Sequence, residues 1–204
     1  MPDAQSQSMI RVWDPIVRIG HWVLVAAFAT AFLTEGEPEW LHTAAGYAIA
    51  VTVTLRLIWG FVGHEHARFS GFVTGPAAVL GYLRGLLTGQ AIRHIGHSPA
   101  GGAMTVALLI MLAVTAVSGM GTLAVEEGRG PLAGIVTMAT DHEGAVFHDD
   151  DAHEAGEAWE DIHEIAANLS LVLVFLHVGG VAIASYAHRE NLVRAMVTGR
   201  KPVR

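Results

Sequence analysis

Four histidines stand where ionisable groups are costly. His21, His42, His163 and His177 each fall inside or at the edge of an apolar segment, and ionisable groups within such segments usually mark function. His163 and His177 are 14 residues apart, about 3.9 turns, so they share one helix face and lie roughly 21 Å apart along it. One helix carrying two imidazoles that far apart can serve two separate metal centres, provided each imidazole finds a partner at its own depth. There is no cysteine, which removes disulfides, thiolate metal sites, iron–sulfur ligation and covalent c-type haem attachment.

The elements that must position these groups follow from composition. The chain has 204 residues, 52% of them hydrophobic and 15% charged, against about 25% charged in ordinary soluble domains. Its mean hydropathy is +0.43, and its 23 glycines suit membrane helices, where glycine is commoner than in soluble ones. An apolar, acidic chain is a poor match to disorder or to nucleic-acid binding. A span needs roughly 20 mostly apolar residues, and four segments qualify, at about 16–34, 41–62, 101–125 and 163–187. The expected fold is an all-α, integral membrane four-helix bundle forming a single domain over 1–204, with a connection at 63–100 and an acidic loop at 126–161. A signal peptide is the rival reading of the first span, since Ala27-Phe28-Ala29 matches a cleavage pattern. It would leave too short an apolar stretch after His21.

Basic residues set the orientation. Arg11 precedes span one and Arg18 stands in its first turn, where it is expected to snorkel to the interface; Arg68, Arg84 and Arg93 lie between spans two and three; Arg189, Arg194, Arg200, Lys201 and Arg204 follow span four. The other two connections hold only Arg129. The positive-inside rule then puts both termini in the cytoplasm of a bacterial inner membrane. Span one runs outward, so His21 lies near the inner face. Spans two and four run inward, which leaves His42 and His163 near the outer face and His177 deep. The expected pairs are His21 with His177 inside, and His42 with His163 outside.

Two neutral imidazoles per depth, with no carboxylate or thiolate in the apolar zone, do not suit zinc, which takes three or four protein ligands. They suit the axial positions of a haem, whose macrocycle supplies the equatorial nitrogens. Gly20, Gly46, Ala166, Ala167 and Gly180 would let a flat macrocycle approach, although small residues also pack membrane helices together. The bland alternative is an interhelical hydrogen bond at each histidine, which leaves the matched depths unexplained. With both axial positions filled, electron transfer is the natural task. Arg56, 14 residues after His42, sits at inner-haem depth, where it either meets a haem propionate or snorkels to the headgroups.

At this point the residues resemble the bacterial four-helix di-haem cytochrome b proteins, which include the b-type cytochrome subunits of nickel–iron hydrogenases. The resemblance is carried by Val12-Trp13-Asp14-Pro15 with Arg18 and His21-Trp22, and by His42 with Gly46, Arg56 and Trp59-Gly60-Phe61-Val62-Gly63. It continues through Gly96-His97-Ser98-Pro99 and through His163-Glu164, His177, Arg189-Glu190-Asn191-Leu192-Val193 and Thr198-Gly199-Arg200-Lys201. It implies two b haems on His21, His42, His163 and His177, with electrons moving between membrane quinone and a partner at the outer face. That partner is a periplasmic c-type cytochrome or an outer-face dehydrogenase; lipid surrounds the chain, no nucleic acid is implied, and a homodimer is allowed.

The remaining histidines divide by location. His64, His66, His94, His97 and His188 lie in or beside the inner connections, with His97 marked out by Gly-His-Ser-Pro. Ser98-Pro99 reads as an N-cap and first helical proline opening span three. A short amphipathic helix is expected around Ala77–Leu87, and another over Arg189–Val197 with Leu192, Val193 and Met196 toward the acyl chains. In the acidic loop, His142, His148 and His153 mingle with carboxylates. They are weak candidates for a second metal site, for an acidic docking surface, or for a merely solvated segment. The rival function is a divalent-metal carrier using this loop as a collector, which would want carboxylates within the spans. Span three has none, and span four has only Glu164 at its outer end.

Overall fold

The computed structural model describes residues 9–34, 37–135 and 149–203, the side chains of 149–153 excepted. Among the described residues the regular elements are helices, with one two-stranded tie. In order, the elements are β1 (Met9–Arg11), α1 (Pro15–Thr34), α2 (Glu39–Val62), α3 (Pro76–Thr88), α4 (Pro99–Glu127), α5 (Asp149–Ala187), α6 (Leu192–Thr198) and β2 (Arg200–Pro202), with a 3₁₀ turn at Phe69–Gly71 before α3. Among the described residues, α1, α2, α4 and α5 are long and apolar enough to cross a membrane.

Local chemistry explains where the helices begin. Asp14 precedes Pro15, and its Oδ1 accepts the Val17 amide at 3.0 Å, so an acidic cap and an N-terminal proline open α1. Ser98 plays the same part for α4, its Oγ accepting the Gly101 amide at 3.2 Å. Asn191 caps α6 through the Arg194 amide at 2.7 Å.

The last long helix differs from expectation. It starts at Asp149, so residues 149–161 of the expected acidic loop are helical. The reason is legible in hindsight: Ala and Glu are strong helix formers, and the acids stand near the helix N-terminus, where the dipole favours negative charge.

The chain divides into two compact units, each drawn from separate stretches of sequence. The first comprises Met1–Val25, Thr54–Ala107 and Leu173–Arg204. Here β1 pairs antiparallel with β2, Ile10 opposite Lys201, over a core of Val12, Trp13, Val17, Ala67 and Ala195 flanked by Ile10, Trp59 and Met196. Met196 therefore packs into protein rather than toward lipid. Arg18, expected to snorkel, instead donates to the Met196 and Val197 carbonyls at the end of α6, satisfying acceptors a helix terminus leaves open. Gly199 follows at φ 77° and accepts the Val12 amide at 2.8 Å. A side chain there would lie 2.7 Å from the Trp13 carbonyl, so this tie requires glycine.

The second unit comprises Ala26–Val53 and Leu108–Val172. Its core is small and partly polar: Ala27, Ala45, Ile49, Leu112, Ala116 and Ala166 are buried together with Thr115, Ser118 and Ser170. Thr115 and Ser170 join α4 to α5 through their hydroxyls at 3.4 Å. Such contacts tie membrane helices where no hydrophobic force separates helix from lipid.

Candidate haem sites

Within the first unit the His21 and His177 rings face each other with centroids 6.4 Å apart and planes at 54°. Within the second, His42 and His163 do the same at 6.0 Å and 69°. An imidazole–metal bond of about 2.0–2.1 Å, with the ring centre about 1.1 Å further on, places two rings bound to one metal about 6.2 Å apart. Both pairs match that span. All four rings are half-buried.

The ring nitrogens are differentiated. His42 Nδ1 lies 2.9 Å from the Ala31 carbonyl and His163 Nδ1 lies 2.8 Å from the Thr115 carbonyl. A carbonyl only accepts, so both Nδ1 atoms carry the proton and both Nε2 atoms hold a free lone pair. Such backbone partners fix the tautomer and raise ligand basicity. His21 differs: its Nδ1 is shut off from solvent without a hydrogen-bond partner, its ring edge-on to Trp22 at 5.2 Å.

Small residues open the space a macrocycle needs. A Cβ added at Gly46 or Gly180 would meet nothing within 4 Å. Gly119 does the opposite: a Cβ there would lie 2.8 Å from His163 Cε1 and 3.0 Å from its Nδ1, so the bare α4 backbone is what the His163 ring rests on. Gly121 likewise receives the Trp159 ring. Thr115, Ser118 and Gly119 thus position His163 from a span that bears no candidate histidine. Their small and hydroxylic types in a chargeless helix were the signal available in the sequence.

Arg56 lies in the first unit, as do His21 and His177. Its guanidinium carbon is 5.3 Å from the Phe69 ring centre and 6.0 Å from that of Phe72, a cation–π arrangement. Both Nη atoms are buried without a hydrogen-bond partner. Gly60 and Gly102 make room for these rings, since a Cβ at either would strike Phe69 or Phe72. His97 packs on the same Phe72 ring at 4.3 Å and edge-on to Trp13 at 4.6 Å. Burial, then the charge of Arg56, push its pKa down to about 3, so it is a neutral imidazole. Its Nδ1 also has no partner. Neither Phe69 nor Phe72 was singled out by the sequence.

These residues fit a flat macrocycle with axial imidazoles and acidic side arms. The family model for prokaryotic cytochrome b561 matches residues 12–199. The chain belongs to the prokaryotic cytochrome b561 family. Members of this family are helical membrane proteins that carry b-type haem and transfer electrons, and this cytochrome is accordingly a multi-pass bacterial membrane protein. It is similar to proteins described as "probable Ni/Fe-hydrogenase B-type cytochrome subunit". The one from Rhizobium leguminosarum bv. viciae is 24% identical over 97% of this chain and 91% of its own length. That from Bradyrhizobium diazoefficiens is 24% identical over 98% and 89%, and that from Azotobacter chroococcum is 24% identical over 96% and 89%. No solved structure matches the chain.

The weaker candidates of the acidic segment lie beyond what the structure describes. His142 and His148 lie outside the described residues, and the side chain of His153 is not described. Among the described residues no group of three or more His, Asp or Glu side chains is arranged to hold a metal ion.

Proposed function

We propose that this cytochrome holds two b haems, one between His21 and His177 and one between His42 and His163. We propose further that it moves electrons between the quinone pool of the bacterial inner membrane and a redox partner at the outer face. The observation that carries the reading is the pair of imidazole couples, each at a separation suited to one metal atom. The basic residues at both termini and in the 63–100 connection support cytoplasmic termini, which makes His21–His177 the inner couple and His42–His163 the outer one.

A haem in each seat supplies reversible one-electron chemistry at its iron. The chain does the rest. The two imidazoles of each seat would hold the haem from both sides, which suits electron transfer rather than oxygen activation. The Ala31 and Thr115 carbonyls hold His42 and His163 in the ligating tautomer and make them stronger donors, a lever that lowers a potential. Arg56, whose two Nη atoms are buried without a hydrogen-bond partner, would hold a propionate. The description of the relatives as hydrogenase cytochrome subunits supports a hydrogenase or another dehydrogenase as the outer-face partner, with a periplasmic c-type cytochrome as the second candidate.

The test is a dithionite-reduced-minus-oxidised spectrum of the detergent-purified chain, with haem counted per chain. Low-spin b-type bands with about two haems, the number four axial histidines allow, are expected. His177→Ala should lose the inner haem and leave the outer one largely intact. A colourless chain from haem-replete cells, or full haem content in His177→Ala, would sink the assignment.

A further inference from the structure

We propose that Arg56 and His97 together form one carboxylate seat, and that the carboxylate it takes is a propionate of the haem held by His21 and His177. The proposal rests on the two-haem reading above and adds His97 as a direct partner of the group.

Three nitrogens on two neighbouring side chains are buried with no acceptor: Nη1 and Nη2 of Arg56 and Nδ1 of His97. Both side chains pack on the ring of Phe72, and His177 is among the groups whose charge bears on His97. Buried donors are rarely left unpaired, least of all charged ones. Among the described residues, the unit's own buried or half-buried acids are already engaged. Asp14 gives Oδ1 to the Val17 amide and Oδ2 to the Trp59 indole, and Glu190 is held by Arg93 and Lys201. Glu65 is exposed. The acceptor these three donors require must therefore come with a ligand.

A carboxylate fits the donor set. Its two oxygens accept the forked guanidinium side-on and still have a lone pair for an imidazole N–H. Held neutral, His97 can offer that N–H without adding a second positive charge beside Arg56. Phe69 and Phe72 close the seat from water, which strengthens each bond made inside it.

The experiment strips the holoprotein of haem in detergent and re-loads it with protohaem or with protohaem dimethyl ester, which lacks the free carboxylates. The two sites are told apart by their midpoint potentials. In wild type the inner site should prefer protohaem by about tenfold or more, as charge-assisted hydrogen bonds imply. Arg56→Gln and His97→Phe should each erase most of that preference, and His97→Gln, which keeps a donor, should recover part of it. The outer site serves as the reference within each sample. A preference lost in Arg56→Gln but intact in His97→Phe would overturn the joint seat, as would a wild type that re-loads with two haems and ignores the esters. Re-loading with fewer than two haems would instead show that the two-haem reading has failed.

Discussion

Replacing Gly119 with alanine probes how a span without a candidate histidine controls His163, the ligand proposed above. The added Cβ would stand 2.8 Å from His163 Cε1, and an ordinary contact begins at 3.4 Å, so ring or backbone must yield by about 0.6 Å. The same ring holds a 2.8 Å bond to the Thr115 carbonyl and faces His42 at 6.0 Å, so a shift of that size cannot preserve both. Loss of the hydrogen bond costs about 1 kcal/mol. Misorientation of a metal-bound histidine typically costs 10–100-fold in affinity, about 1.4–2.8 kcal/mol. Alanine is the better helix former by about 1 kcal/mol, so a weakened α4 would not account for the defect. Gly81→Ala is the control, because a Cβ there meets nothing within 4 Å. Haem content and redox titration of the purified variant should show one haem loosened 10–100-fold and the other unchanged. Two haems with wild-type occupancy and potentials in Gly119→Ala would refute the role assigned to this glycine.

Three further outcomes follow from the first unit. Glu190, 8% exposed, is paired with both Arg93 and Lys201, so Glu190→Gln leaves the buried Lys201 and the half-buried Arg93 without this anion and should cost about 3 kcal/mol. Thermal unfolding in detergent, and faster tryptic cleavage after Arg200, would register it. Lys201 has its pKa lowered from 10.5 chiefly by burial, against the opposing pull of Glu190. The unfolded chain therefore holds this proton to higher pH than the folded one, and folding stability rises with pH between the lowered value and 10.5. Against Lys201→Met, wild type should gain stability over that window, as paired unfolding curves at increasing pH would record. Asp14→Ala removes the cap of α1 and the 3.1 Å acceptor of the Trp59 indole, a loss of about 1–2 kcal/mol that thermal unfolding should detect.

Much of this protein is written in its one-dimensional pattern because the bilayer is a simple ruler. Apolar length marks α1, α2, α4 and α5, and the asymmetry of Arg and Lys orders their ends. The constant helical rise turns a 14-residue interval into a depth, which is why His21 is expected beside His177 and His42 beside His163 before any packing is known. Caps are equally local: Asp14-Pro15 and Ser98-Pro99 act on amides three residues away.

What tertiary structure alone decided lies across long intervals of chain. That Gly119, Thr115 and Ser118 support a histidine 44 to 48 residues later depends on how α4 and α5 are rotated about their axes. Hydropathy says nothing of this in a helix that is apolar all round. The same holds for Arg56 and His97 meeting on Phe72, and for β1 closing on β2 some 190 residues away. Periodicity carries depth and face; only close packing determines which neighbour fills each gap, and in this chain glycines and hydroxyls, too small to show in a hydropathy pattern, make those choices.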